Sequence, residues 1–312
     1  MLTATADISA RAFSRHRAII MFIERIRARR AIESNFAAIG YRPGAETWQE
    51  LNLAVARDIQ ARQLPPNVPV PSRRRPVSFV STVYGATGSA RVALTALFRA
   101  GSWTSSGGSF RLAEAIGIDV LTLVADGIER GGFTLLEIGG AWAGFHPRQV
   151  DAASLSLAQL ARQHRPELGR RLRLHFTNLT QWHQSLPVGV TEHPFVTAAG
   201  LSITAARGIE PASVDLVYSQ AAAYFEPDIR SFVEAASGLL RPGGLLAFNY
   251  PPEVDPEIRL AASIYELDLT RSTLLGGMNG RVALLTKRGI TLPRASERST
   301  VAPAPTLTHS AA

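Results

Sequence analysis

The chain has no cysteine in its 312 residues. That excludes a disulfide, a thiolate nucleophile, a cysteine-held iron–sulfur cluster and a thiolate zinc site, and it agrees with an expected cytoplasmic location. No run of about 18 uninterrupted apolar residues occurs, so no membrane span is expected. Lysine is nearly absent: Lys287 is the only one among 33 basic residues. A Gly-x-x-x-x-Gly-Lys phosphate loop is thereby excluded, and a Gly-x-Ser-x-Gly nucleophile elbow is missing as well. None of the seven histidines stands in His-x-x-x-His or His-Glu-x-x-His spacing, so no metal is expected.

What is present is enough apolar residue, 46%, to bury a core. The net charge of +8 is unevenly placed, because residues 1–75 hold 13 arginines against 6 acids and the remainder is balanced to within one charge. Aromatic residues are not interleaved with those arginines, so a nucleic-acid partner is not expected.

Five segments follow from composition. Residues 1–62 read as a basic helical segment, with Phe13, Ile19, Ile20, Ile23 and Ile26 at roughly helical spacing. Residues 63–77 carry five prolines and read as an extended linker. Residues 78–130 are a helical lead-in or lid, broken by a Gly/Ser loop near Trp103. From 131 to 288 short apolar strands alternate with helices, which argues for a mostly parallel sheet covered on both faces. Strands are expected at 133–138, 171–176, 201–204, 214–218 and 245–250, and helices at 147–165, 227–240 and 256–267. Segments 273–275 and 281–286 flank a glycine-rich turn and should form an antiparallel hairpin. Residues 289–312 read as a disordered tail.

Two blocks carry chemistry. Glu137-Ile138-Gly139-Gly140-Ala141-Trp142-Ala143-Gly144 follows an apolar strand, and Ser213-Val214-Asp215-Leu216-Val217-Tyr218-Ser219-Gln220 precedes a helix ending in Leu239-Leu240-Arg241-Pro242-Gly243-Gly244. In this order and spacing, 131–288 resembles the class I S-adenosylmethionine-dependent methyltransferases, and the first loop is also worded like that of sugar O-methyltransferases. The resemblance implies an α/β, Rossmann-like, seven-stranded, mostly parallel sheet with an antiparallel last strand, preceded by a helical N-terminal extension. It implies S-adenosylmethionine as cofactor, with Glu137 orienting the methionine end and Gly139, Gly140, Ala141 and Gly144 forming the cofactor loop. Asn178 falls where the second strand meets the ribose, and Ser219 and Gln220 fall beneath the sulfonium. Asp215, at the start of its strand, reads as structural.

The sequence also departs from the family. Two loop glycines are replaced by Ala141 and Ala143, and the ribose acid is missing, since no acid occurs between Glu167 and Glu192. A hydroxyl acceptor needs a base; the candidates are His183 and His193, in the connection 181–195, and Tyr224, which also shapes the acceptor pocket. The expected function is methylation of a small-molecule acceptor, at oxygen in preference to nitrogen or carbon. The alternative is a non-catalytic methyltransferase-fold relative serving as a binding or partner subunit. Homodimerisation through the N-terminal helices is a further expectation.

Overall fold

The computed structural model describes residues 2–62, 75–87, 90, 93–94, 97, 110–140, 157–158, 171–182, 185–220, 222–275 and 280–289. Most of the expected linker, the Gly/Ser loop, most of the expected helix over 147–165 and nearly all of the expected tail lie outside these residues.

Helices α1 (Leu2–Ala38), α2 (Ala45–Arg62), α3 (Pro76–Thr87), α4 (Arg111–Ala115) and α5 (Val120–Glu129) come before the sheet. The strands are β1 (Phe133–Ile138), β2 (Leu172–Asn178), β3 (Val190–Pro194), β4 (Val214–Ser219), β5 (Leu240–Tyr250), β6 (Leu267–Leu274) and β7 (Arg281–Lys287). Helices α6 (Ile229–Leu239) and α7 (Asp255–Ile264) connect β4 to β5 and β5 to β6. The sheet order is β3-β2-β1-β4-β5-β7-β6. Strands β1 to β5 pair in parallel, and β7 runs antiparallel to both β5 and β6. The expected fold class therefore holds.

Each face of the sheet is sealed by its own apolar layer. Leu136, Ile138 and Val217 pack with Phe232 and Val233 of α6 and Ile258 of α7. On the opposite face Leu135, Phe176 and Leu216 pack with Val124 and Ile128 of α5. The alternation of side chains along each strand sends consecutive residues to opposite layers, which is why these strands are apolar almost throughout. Asp215 is structural, as expected: its Oδ2 accepts from Thr134 N at 2.8 Å and its Oδ1 from Arg241 Nε.

Four elements differ from the sequence reading. Residues 201–204 are not a strand; Leu201–Arg207 is a 3-10 helix, closed by Gly208 at φ 96° and braced by Thr204 Oγ1 donating to Leu201 O. Val190–Pro194, expected to be part of a long connection, is the edge strand β3, and its polar Thr191 and Glu192 conceal the alternation. The Pro-Gly-Gly turn does not separate helix from strand. It is a bulge inside β5, where pairing jumps from Val214↔Leu240 to Leu216↔Leu245 and Gly243 takes φ 75°. β6 starts at Leu267, directly after Glu266 turns the chain at φ 59°.

Helices α1 and α2 pack on each other through Ala28, Ile32, Phe36, Leu51, Val55 and Ile59, and meet the sheet domain at Leu179 and Phe195. Asn35 Nδ2 donates to Phe195 O at 2.7 Å, and Tyr41 OH donates to Asp228 Oδ2 at 2.6 Å. The outer face of α1 leaves Ile19, Phe22, Ile23 and Ile26 exposed at spacings of three and four.

His193 lies in β3, buried, with Nε2 3.1 Å from His175 Nδ1 of β2. Its side chain is thus packed against His175 inside the sheet layer, not carried on a long loop as the sequence suggests. Burial lowers both histidines from 6.5 to about 4, with the Arg173 charge adding to the effect on His175. A folded-state pKa below the unfolded one means that the folded chain resists protonation. The pair's contribution to stability is complete above 6.5 and is lost as pH falls toward about 4. Melting temperature followed across that window is expected to fall for the wild-type chain and to fall less steeply for H175L/H193L.

Candidate active site

The order of the sheet reverses at β1. Connections leave β1 toward β2 on one side and β4 toward β5 on the other, so the carboxyl ends of β1 and β4 border a crevice. There Glu137 pairs with Tyr218 and Ile138 with Ser219. A cavity of about 90 Å³ opens at this point. Its floor is Ile138, Gly139, Thr177 and Asn178, one wall is Ala222, Phe225 and Glu226, and its cover is Leu51, Ala54 and Asp58 of α2. The i, i+3, i+7 spacing of those last three places them on one face of their helix.

Gly139 takes φ 66°, and a Cβ there would overlap the Ala222 methyl. Its N–H donates to Thr177 Oγ1 at 3.4 Å, and Gly140 N–H donates to Thr177 O at 3.3 Å. The loop is thus tied to β2 as it leaves β1. Glu137 is fully buried beside Tyr218, whose phenol is held far above its usual range by burial and then by the Glu137 charge.

The other expected residues are distributed differently. Asn178 lines the cavity, and its Nδ2 donates to Glu192 Oε1 at 2.7 Å. Ser219 Oγ accepts from Ala223 N at 2.9 Å, and Gln220 Oε1 accepts from Tyr218 OH at 2.8 Å. Neither is among the cavity-lining residues, nor is Tyr224. The Tyr224 ring lies 5.1 Å from that of Phe225, and a Cβ at Gly280 would come within 2.9 Å of it. His183, Ala141 and Gly144 lie outside the described residues.

Three carboxylates at this end of the sheet were not anticipated. Asp58 of α2, almost fully buried, accepts from Thr180 Oγ1 and, at 3.0 Å, from Trp182 Nε1. Glu192 of β3 accepts from Asn178 and, at 2.8 Å, from Trp182 N. Glu226, just past β4, accepts from Ala199 N at 3.0 Å. Burial pushes its pKa up to about 7, against the lowering effect of the Ala199 and Asp228 N–H groups. The signal for Asp58 was its position as an acid on a helix face otherwise made of Leu51 and Ala54. The signal for Glu226 was its place just beyond the fourth strand, next to the singled-out Tyr224.

The arrangement offers glycine backbone and a buried carboxylate at β1, polar groups at the end of β2, and a raised-pKa carboxylate past β4. These residues suit a ligand that combines a cationic centre with hydroxyl groups, the chemistry of an adenosyl sulfonium.

No protein-family model matches the sequence, and no curated protein matches it. Among solved structures, the chain is similar to a Haemonchus contortus phosphoethanolamine N-methyltransferase 2 complex at 13% identity and TM-score 0.35, over 62% of this chain and 60% of that one. It is similar to a complex of the Haloferax volcanii Trm112 methyltransferase activator with a methyltransferase, at 12% identity and TM-score 0.39, over 63% of this chain and 97% of that one. It is also similar to the CurJ carbon methyltransferase, at 12% identity and TM-score 0.39, over 80% and 72% of the two chains. The seven-stranded sheet, parallel through β5 and with a reversed β7, has the architecture that the sequence resemblance implied.

Two substitutions test the site's construction. Gly139→Ala is expected to lose about 1 kcal/mol to its left-handed backbone and about 1–3 kcal/mol to the Ala222 overlap, read by urea unfolding. Asp58→Ala leaves the Thr180 and Trp182 donors without their acceptor, at a cost of about 2 kcal/mol by the same measurement. Amide exchange across 45–62 should accelerate in that variant.

Proposed function

We propose that the chain is an S-adenosylmethionine-dependent methyltransferase acting on a small molecule, with a hydroxyl of a natural-product or sugar-like acceptor as the methyl-receiving group. The observation that supports this reading is that Asp58 and Glu226 line a cavity floored by a positive-φ glycine at the carboxyl end of the sheet, with buried Glu137 one residue before that floor and Glu192 bonded to its Asn178. S-adenosylmethionine, when bound, supplies an electrophilic methyl carbon on a sulfonium.

Glu137, Gly139 and Gly140 are the residues to hold its methionine end. Asn178 and Asp58 are the polar groups nearest the ribose position, and Asp58 takes over the part of the missing second-strand acid. Glu226 receives the proton of the acceptor hydroxyl, because a base with a pKa close to 7 is ionised in useful proportion while still holding a proton well. Tyr224 supports Phe225 on the acceptor side. Helix α2 excludes water and must swing aside to admit ligands, since pockets for drug-sized molecules run to about 300–1,000 Å³ and this one is about 90 Å³.

That small volume favours a second reading, in which the fold is kept as a non-catalytic partner subunit. Calorimetry separates the two: the enzyme gives a saturable heat with S-adenosylhomocysteine, lost in Gly139→Ala, and absence of heat at millimolar ligand leaves the partner subunit. On a hydroxylated acceptor found by screening, Glu226→Gln is expected to lower kcat about 100-fold while S-adenosylhomocysteine affinity stays within about twofold. The wild-type rate should rise as pH rises through about 7, where Glu226 ionises, and the variant should lose that limb.

A further inference from the structure

We propose that the amino-terminal edge of the sheet, at the pole opposite the crevice, binds a small phosphorylated anion of the diphosphate class. A cavity of about 440 Å³ lies there, lined by Arg130, Arg171, Arg173 and Arg241 with Ser213 and the single carboxylate Asp215. Four guanidiniums and one carboxylate leave this cavity three positive charges in excess.

The placement follows from register. Arg173 of β2 pairs with Thr134 of β1, whose N–H donates to Asp215 of β4, whose Oδ1 in turn accepts from Arg241 Nε. Arg130 and Arg171 sit on the loops entering β1 and β2, and Phe133 N donates to Arg171 O at 2.9 Å. Three arginines therefore sit at the mouths of two adjacent strands and line one cavity.

Local structure does not use up these charges. Arg241 is committed to Asp215, and Arg171 Nη1 reaches Ile128 O, near the end of α5, at 3.5 Å. The side chains of Arg130 and Arg173 are exposed and have no hydrogen bond or ion pair among the described residues. Four guanidiniums sharing one carboxylate repel one another, and a ligand with several anionic oxygens relieves that repulsion. Arginine suits such oxygens because its planar fork donates two parallel N–H bonds. The cavity volume lies within the range of small-molecule sites, about 300–1,000 Å³, so a nucleoside attached to the phosphates can be held as well. None of this depends on the methyltransferase reading.

The test is calorimetry of the full chain with inorganic pyrophosphate and with ADP. One saturable pyrophosphate site is expected, weakened about tenfold or more in R130A/R173A, whose unchanged melting temperature shows the fold intact. R259A removes an exposed arginine paired with Asp255 on α7 and should bind as the wild type does. Competition by ADP identifies a nucleotide-borne diphosphate; pyrophosphate binding without ADP competition identifies the free anion, and both keep the site. No saturable heat at millimolar pyrophosphate, or an equal loss in R259A, overturns the proposal.

Discussion

The carboxyl ends of β1 and β4 lie side by side while their connections diverge, and this single topological fact opens the crevice in a sheet sealed on both faces. Everything at the crevice is placed by it. Glu137 is the penultimate residue of β1, so it is buried between Phe176 of β2 and Tyr218 of β4. Gly139 comes where the chain must turn off the sheet beside Ala222, and the approach is close enough that no side chain fits. The residues past β4 then form the opposite wall, which is why Glu226 faces Gly139 although 87 positions separate them.

The second constraint is the attachment of α2. A helix pair built on Ile32, Phe36, Leu51 and Val55 could pack on itself without touching the crevice. Asp58 fixes it there by accepting from Thr180 and Trp182, both in the chain just beyond β2. Tyr41 holds the turn before α2 to Asp228, the N-cap of α6. The N-terminal extension thus contributes a carboxylate and a wall to the cavity, and it reduces the cavity's volume. A cover held by a few polar contacts and a narrow apolar seam is the kind of element that opens on its own, without the sheet unfolding.

The strands buried almost throughout were legible because burial on both faces leaves no alternation to misread: β1 begins and ends as its sequence indicates, and β4 extends one residue further. Edge strand β3 was not legible, since Thr191 and Glu192 resemble loop residues until β2 supplies their hydrogen-bond partners. Leu201–Arg207 misled for the opposite reason, its apolar run being a turn buried by tertiary packing. Of the residues singled out in the sequence, Gly139 and Asn178 do line the cavity, because local motif and strand end coincide there. Asp58 and Glu192 were not legible, because each acts on a segment that only the fold brings near: 122 residues separate Asp58 from Thr180.

Carboxylates gather at one pole of the sheet and arginines at the other, and backbone groups help each to be tolerated. In a parallel sheet with crossover helices, helix N-termini gather at the carboxyl ends of the strands and helix C-termini at the amino ends. Backbone N–H groups at the first pole stabilise carboxylates: Ala199 N donates to Glu226, Trp182 N to Glu192, and Ser231 N to Asp228. Carbonyls at the second pole stabilise arginines, as Ile128 O does for Arg171. The backbone thus offsets part of the repulsion within each cluster but leaves net charge behind. An electron-poor centre such as a sulfonium is attracted to the carboxylate pole and repelled by the arginine pole, and a phosphate behaves in the opposite way.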